Sequence, residues 1–386
     1  MTHQAMHHFQ DTTTSRFIEP LDVLFLRGNQ LFGEAGSYGE ALMPPWPSVA
    51  AGALRSRILA GDGIDLTAFA AGSIAHPQLG TPAQPGSFVL QHFQLARSKP
   101  DGNGVETIHP LPADLLVTQD QDAPPSIAAL KPTVLHPTIA TSSPLPLVPV
   151  LAQSGRSKAS TGWWLRQSGW HKYLQGQMPE AADLVHSKDL WAYDERIGIG
   201  LDESTRSAAE GKLFTARAVA FKEGVGFAVS VAGAALPEQA SLRLGGDGRA
   251  AHLHSAHITW PAPDYAAIAQ AGRCRLVLTS PGIFDDGWRL PGMGADGQLT
   301  LPGLSAKVVA AAVNRADTIS GWDLAQHQPK PAQKAAGSAS VYWLQELQAT
   351  PEALGKLVAH GLWSQPCEDA ARRAEGFNRF ALAAWV

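Results

Sequence analysis

The chain has 386 residues, 45% of them hydrophobic and 17% charged, with a formal net charge of −4. That is enough apolar material for two domains with cores of their own, and it excludes wholesale disorder. The slight acidity excludes a chain-wide basic field, so a site for nucleic acid or another anion has to be a local patch. Cys274 and Cys367 are the two cysteines and have no paired spacing. This argues against a disulfide framework or a thiolate metal site and fits a reducing cytoplasm. The opening MTHQAMHHFQDTTTS has no basic flank and no apolar h-region, so no secretory signal is expected. No apolar run approaches the length of a membrane span, and a cytoplasmic protein without membrane contact is expected.

In chain order, FIEPLDVLFLR (Phe17 to Arg27) is apolar on both faces at Val23, Leu24, Phe25 and Leu26, which predicts a central strand. A Gly/Pro-rich loop follows. Ser48, just after PPWP, is the predicted N-cap of a helix from Val49 to Ala60 that stops at Gly61. Between Gly61 and about Glu210, FVLQHFQLAR and ADLLVTQ read as strands, and WWLRQSGWHKYLQG as a helix bearing indoles. QDAPPS and TSSPLPLVPVLAQSGRSKAST are Pro/Ser-rich loops, and the whole region is read as a long insertion. KLFTARAVAF, the turn KEGVG and FAVSVAG predict a hairpin (Lys212 to Gly233), and SLRLGGDGR adds a strand with a glycine turn. The last third supplies the strands CRLVLTS, AKVVAAAVNR and SASVYWLQEL, the helix PEALGKLVAHG and the strand NRFALAAW. The fold class expected is α+β, two units each with helices on one face of a sheet, without a short internal repeat.

The chain holds no HExxH, no GxSxG and no GxxxxGK[ST]. GGDGR (Gly245 to Arg249) is half of a GGDD motif, but two-metal chemistry needs paired carboxylates and the next position is Gly248, so a hairpin turn is expected. His252, His254 and His257 set two imidazoles on one strand face; with no third ligand nearby they read as a polar face rather than a metal pair. Asp202-Glu203 and Asp285-Asp286 are adjacent acids whose side chains point apart. No catalytic constellation, cofactor site or metal site is expected.

Anion-binding signals are more numerous. On the helix after Ser48, Gly52, Ala53, Ser56 and Ala60 form a small side between Arg55 and Arg57. That side either packs on the chain's own sheet or admits another backbone, with guanidiniums suited to phosphate. GRSKASTGWW joins Arg156 and Lys158 to two indoles, a phosphate-and-stacking combination or else a polar loop. Arg206 ends RIGIGLDESTR, Arg249 ends GGDGR, and Arg315, Lys330 and Lys334 lie in a Gly/Pro-rich loop, each a surface cation unless brought to a common site.

An ordered set of segments resembles a known family. The segments are IEPLDVLFLRGNQLFG, MPPWPSVAAGALRSRIL, RIGIGLDESTRSAAEGKLFTA, LRLGGDGR, SGWDL and PKPAQKAAGSASVYWL, running from Ile18 to Leu344. They resemble the RAMP superfamily of CRISPR effector proteins, and within it the third subunits of the type III-B Cmr complex, which hold the 5′ handle of CRISPR RNA (crRNA). One departure is that EGFNRFALAAW keeps only Gly376 of the glycine-rich loop usual near the C terminus. The resemblance implies two ferredoxin-like, RRM-like RAMP modules, residues 15–258 with an insertion over about 61–210, and residues 259–386. It implies a non-catalytic RNA-binding subunit whose partners are the crRNA handle, the large polymerase-like cyclase subunit and a backbone RAMP subunit, with target RNA met indirectly. The RNA-binding residues expected are Ser48, Arg55, Arg156, Lys158, Arg206, Arg249, Arg315 and Lys330. Two other readings are a RAMP-type endoribonuclease with a histidine general base, for which fourteen histidines are available, and a structural bridge without RNA contact.

Overall fold

The structure, a computed structural model, describes residues 13–28, 38–100, 102, 104–119, 123–152, 158–202, 204–323, 328–364 and 369–385. It is a mixed architecture of mostly antiparallel sheets with few helices. Among the described residues no helix is long and apolar enough to cross a membrane.

The first sheet has eight antiparallel strands in the order Leu184–His186, Trp163–Arg166, Val105–Pro110, Val89–Ser98, Val225–Ala232, Thr14–Pro20, Ala250–His254 and Gln239–Arg243. Val225–Ala232 is buried at every position, so it needs a partner on both edges. Those partners are Thr14–Pro20 and Val89–Ser98. The predicted hairpin therefore does not form. Its first strand, Ala208–Phe221, pairs instead with Trp191–Leu201 in a separate ribbon, and Tyr38–Gly39 adds to that ribbon in parallel. Alternation identified both strands correctly but could not say which neighbour each would choose.

The first strand is also shorter than its apolar run. Regular pairing ends at Pro20, which has no N–H to give, and the Asp22 side chain accepts the Val23 N–H at 2.7 Å. Leu24 and Phe25 then make only isolated bridges, to Val219 and Gly246.

One face of the first sheet is covered by the helix Pro47–Gly61, whose Ala50, Ala51, Leu54 and Ile58 pack with Ile18, Leu90 and Val229. Burying Leu54 and Ile58 contributes about 1.5–3 kcal/mol each. The helix starts two residues earlier than expected. Trp46 is its N-cap and makes no side-chain cap, Pro47 occupies the first turn, and Ser48 lies inside the helix rather than capping it. Ala53 is buried with the packed side, so the exposed small stripe is Gly52, Ser56 and Ala60.

The second sheet has five strands in the order Gln298–Leu301, Leu304–Ala312, Val341–Gln348, Cys274–Leu278 and Phe380–Ala384. Helices Tyr265–Ala271 and Pro351–His360 cover one face through Ile268, Leu354 and Leu357. Its other face, with Val277, Val309 and Trp343, is covered by Leu115, Val117, Trp170 and Tyr173 from the region read as an insertion. WWLRQSGWHKYLQG is thus not one helix. Trp163–Arg166 is a strand between two cores, with Trp164 facing the first and Leu165 the shared one, and the helix is Gln167–Leu174.

Across this seam Arg275 donates to Asp114 Oδ2 at 2.8 Å and to the carbonyls of Tyr173 and Ala384 at 3.0 Å. The Tyr173 hydroxyl donates to Asp114 Oδ1 at 2.8 Å. Burial raises the Tyr173 phenol well above its usual range, so it stays a donor.

Candidate nucleic-acid interface

Two of the expected residues, Arg55 and Lys330, act on one carboxylate, Glu375, a residue the sequence reading did not single out: Lys330 through an ion pair and Arg55 through charge alone. Lys330 Nζ donates to Glu375 Oε1 at 2.7 Å, and Arg372 Nη1 donates to Glu375 Oε2 at 2.9 Å. The Glu375 side chain is 7% exposed and that of Arg372 6%, while Lys330 keeps 32% of its side chain open. Desolvation pulls the Arg55 guanidinium below its usual value, and the Glu375 charge opposes that pull. Arg55 makes no hydrogen bond to any of the described residues.

The cluster is braced from several elements. Arg372 Nε donates to Gln333 Oε1 at 2.8 Å, and its guanidinium reaches the Ser320 carbonyl at 3.4 Å. The Ser320 hydroxyl in turn donates to the Lys330 carbonyl at 2.7 Å. Two further cations follow in sequence. Arg373 donates to His360 Nδ1 at 3.3 Å. Arg379 donates to the Ala359 and Val358 carbonyls at 3.0 and 3.1 Å, at the negative end of the helix Pro351–His360. Burial, then the neighbouring Arg373, lower Arg379 to about 10. Among the described residues, the ion pairs made by Arg55, Lys330, Arg372, Arg373 and Arg379 are the two to Glu375. Three cations, Arg55, Lys330 and Arg372, share the charge of one carboxylate and leave a local positive excess on a chain that is acidic overall.

A narrow cleft adjoins the cluster, lined by Pro44, Pro45, Gln94, Thr279, Gly376 and Arg379. Gln94 Nε2 closes part of it by donating to the Thr279 carbonyl at 3.2 Å. Gly376 has φ +89°, and a Cβ there would stand 2.8 Å from the Leu90 carbonyl oxygen, so the C-terminal turn can seat against the first sheet only as glycine.

The other expected residues are placed elsewhere. Ser48 is half-buried in the first helical turn. Arg249 donates to Asp22 Oδ2 at 2.6 Å and lies over the Phe25 ring at 5.1 Å, at a turn of the first sheet. Arg206 sits at the end of the Trp191–Leu201 ribbon with φ 54°, and Lys158 and Arg315 are exposed in loops. None of these shares a hydrogen bond or ion pair with Glu375. Arg156 lies outside the described residues.

GGDGR is a tight turn, with Gly245 and Gly248 at φ 74° and 61°. His252 and His254 stand 5.2 Å apart on a sheet face, and His254 Nε2 is 3.8 Å from Glu19. Among the described residues no group of three or more His, Cys, Asp or Glu side chains is placed to hold a metal ion. The missed residues Arg372 and Glu375 had a faint signal, the charged run ARRAEG just before the final strand.

Comparison with known proteins follows the same direction. A family model described as CRISPR-associated protein (Cas_Cmr3) matches residues 16–385. No curated protein matches. The chain is similar to a chain in the cryo-EM structure of the Type III-B Cmr-beta bound to cognate target RNA and AMPPnP, state 1, at 17% identity and TM-score 0.44, covering 86% of each chain. It is similar, at 17% identity and TM-score 0.43, to a chain in the Type III-B Cmr-beta structure bound to cognate target RNA, again over 86% of each. The chain belongs to the CRISPR-associated Cas_Cmr3 family, the family that its ordered sequence segments resemble.

Proposed function

We propose that this chain is the non-catalytic subunit of a type III-B Cmr effector complex that holds the 5′ handle of the crRNA and bridges the large cyclase subunit to the backbone RAMP filament. The observation that carries the reading is the cation excess around Glu375, where Lys330 keeps part of its side chain open to a phosphate backbone and Arg55 lies half-buried nearby. Family membership supports it. Target RNA would be met only through the guide, and the site of action would be the cytoplasm.

The strand orders support the ferredoxin-like reading of both modules. In the first, Thr14–Pro20 is followed by a helix, Val89–Ser98, Val225–Ala232 and Ala250–His254, lying in space as second, third, first, fourth. In the second, Cys274–Leu278, Leu304–Ala312, Val341–Gln348 and Phe380–Ala384 repeat that order. Each module keeps one crossover helix, the first in the N-terminal unit and the second in the C-terminal unit. We keep the division near residue 258, with Val89–Ser98 as the second strand of the first module, so that the insertion shortens to the chain between Ser98 and Val225.

The test is co-expression with the neighbouring CRISPR subunits, purification through this chain and sequencing of the RNA recovered. Recovery of RNAs sharing one repeat-derived 5′ tag, together with the large subunit, is the expected result. Recovery of the large subunit with no RNA enrichment would leave a structural bridge. Metal-independent cleavage of repeat RNA by the isolated chain would make it a nuclease instead.

A further inference from the structure

We propose that Trp322 is a stacking platform for an unpaired RNA base beside the Glu375 cation cluster; this rests on the RNA-holding reading above. Of the eleven tryptophans, ten are buried or half-buried, whereas Trp322 is 52% exposed. An exposed indole forfeits burial energy, and a single exposed apolar residue would by itself need no explanation. Its position supplies one. Trp322 pairs across a short antiparallel ribbon with Pro329, which is also exposed, so the indole and the pyrrolidine ring share one flat apolar face.

The adjoining pair of the same ribbon belongs to the cation cluster. The Lys330 N–H donates to the Gly321 carbonyl at 2.8 Å, and the Lys330 ammonium is the one held by Glu375. Gly321 has φ +130°, a conformation open to glycine, which turns the chain between Ser320 and the outward indole. Ser320 is held twice, its hydroxyl to the Lys330 carbonyl and its own carbonyl by Arg372. The indole is thus carried on a braced ribbon within one residue of a phosphate-binding cation. Lys330 and the Trp322–Pro329 pair lie on opposite faces of the ribbon, so an RNA strand turning around its edge meets a phosphate partner on one side and a stacking partner on the other. Arg55, Lys330 and Arg372 against the carboxylates of Glu375 and the adjacent Asp323 leave a net positive charge, which favours RNA over an apolar protein surface as the occupant.

The experiment measures fluorescence anisotropy of a labelled single-stranded RNA matching the repeat-derived 5′ tag. The full-length wild type, Trp322→Ala, Trp322→Phe and Lys330→Ala are each titrated at several salt concentrations. Trp322→Ala is expected to weaken binding about tenfold with an unchanged salt slope, because stacking releases no counterions. Trp322→Phe should retain most of the affinity. Lys330→Ala should instead reduce the slope by about one. Wild-type affinity in Trp322→Ala overturns the assignment while leaving the RNA-holding reading intact. If that variant also fails to co-purify with the large subunit, the indole is a protein contact. No binding by the wild type or its complex removes the RNA-holding reading and this assignment together.

Discussion

Arg275 illustrates how one residue can tie distant parts of the chain. Its side chain is 11% exposed, and that of its partner Asp114 is 1% exposed. Arg275→Leu would leave Asp114 buried with only the Tyr173 hydroxyl, a loss expected to cost about 3–5 kcal/mol. Urea denaturation followed by tryptophan fluorescence measures this directly. Replacing both partners, Arg275→Met with Asp114→Leu, should recover much of that loss, because no unpaired charge then stays buried. A double variant as unstable as the single one would mean that the contacts to the Tyr173 and Ala384 carbonyls carry the stabilisation. At this scale the sequence was informative about residue type only. Arg55 and Lys330 were recognisable as cations suited to phosphate, but nothing local to either pointed to Glu375, which stands 45 residues beyond Lys330.

The helix Pro47–Gly61 kept its place in the reading while its start and its exposed stripe were revised. Its packed side is set by Leu54 and Ile58, and its exposed stripe by Gly52, Ser56 and Ala60. A Cβ added at Gly52 meets nothing within 4 Å. Gly52→Ala should therefore stabilise the isolated chain by about 0.5–1 kcal/mol through backbone entropy alone, read as a rise in thermal midpoint. Loss of stability would mean that the glycine is under a constraint not visible in its surroundings. The same variant tests whether RNA or a partner subunit approaches this stripe closely, since an added methyl would then weaken assembly while the free chain gains stability. The start of the helix was misread for a local reason. Pro47 brings a fixed φ suited to the first turn and no N–H of its own, and the Val49 N–H bonds the Trp46 carbonyl at 3.0 Å, so the helix begins before Ser48.

For the whole molecule, the decisive feature is the third core, which belongs to neither sheet alone. Leu115, Trp170 and Tyr173 cover the second sheet, while Leu165 belongs to a strand of the first. The two sheets share the apolar burial of this third core and the Asp114–Arg275 pair across the seam. Urea unfolding should accordingly be one cooperative transition, with tryptophan fluorescence and far-ultraviolet circular dichroism superimposing. Two separated transitions would show that the shared core adds little coupling.

The sequence by itself determined the alphabet of elements and the family. Strands such as Val89–Ser98, Cys274–Leu278 and Phe380–Ala384 were legible because side-chain alternation is a local property, and the ordered segments identified the family without any contact being known. Strand partners, the covering of the second sheet and the common action of Arg55 and Lys330 on Glu375 were decided only in three dimensions. An apolar strand states that it must be buried on a face, but which neighbour buries it depends on the balance of every competing pairing. A cation likewise declares its charge in the sequence, while its worth as a phosphate contact depends on the carboxylates that the fold places beside it.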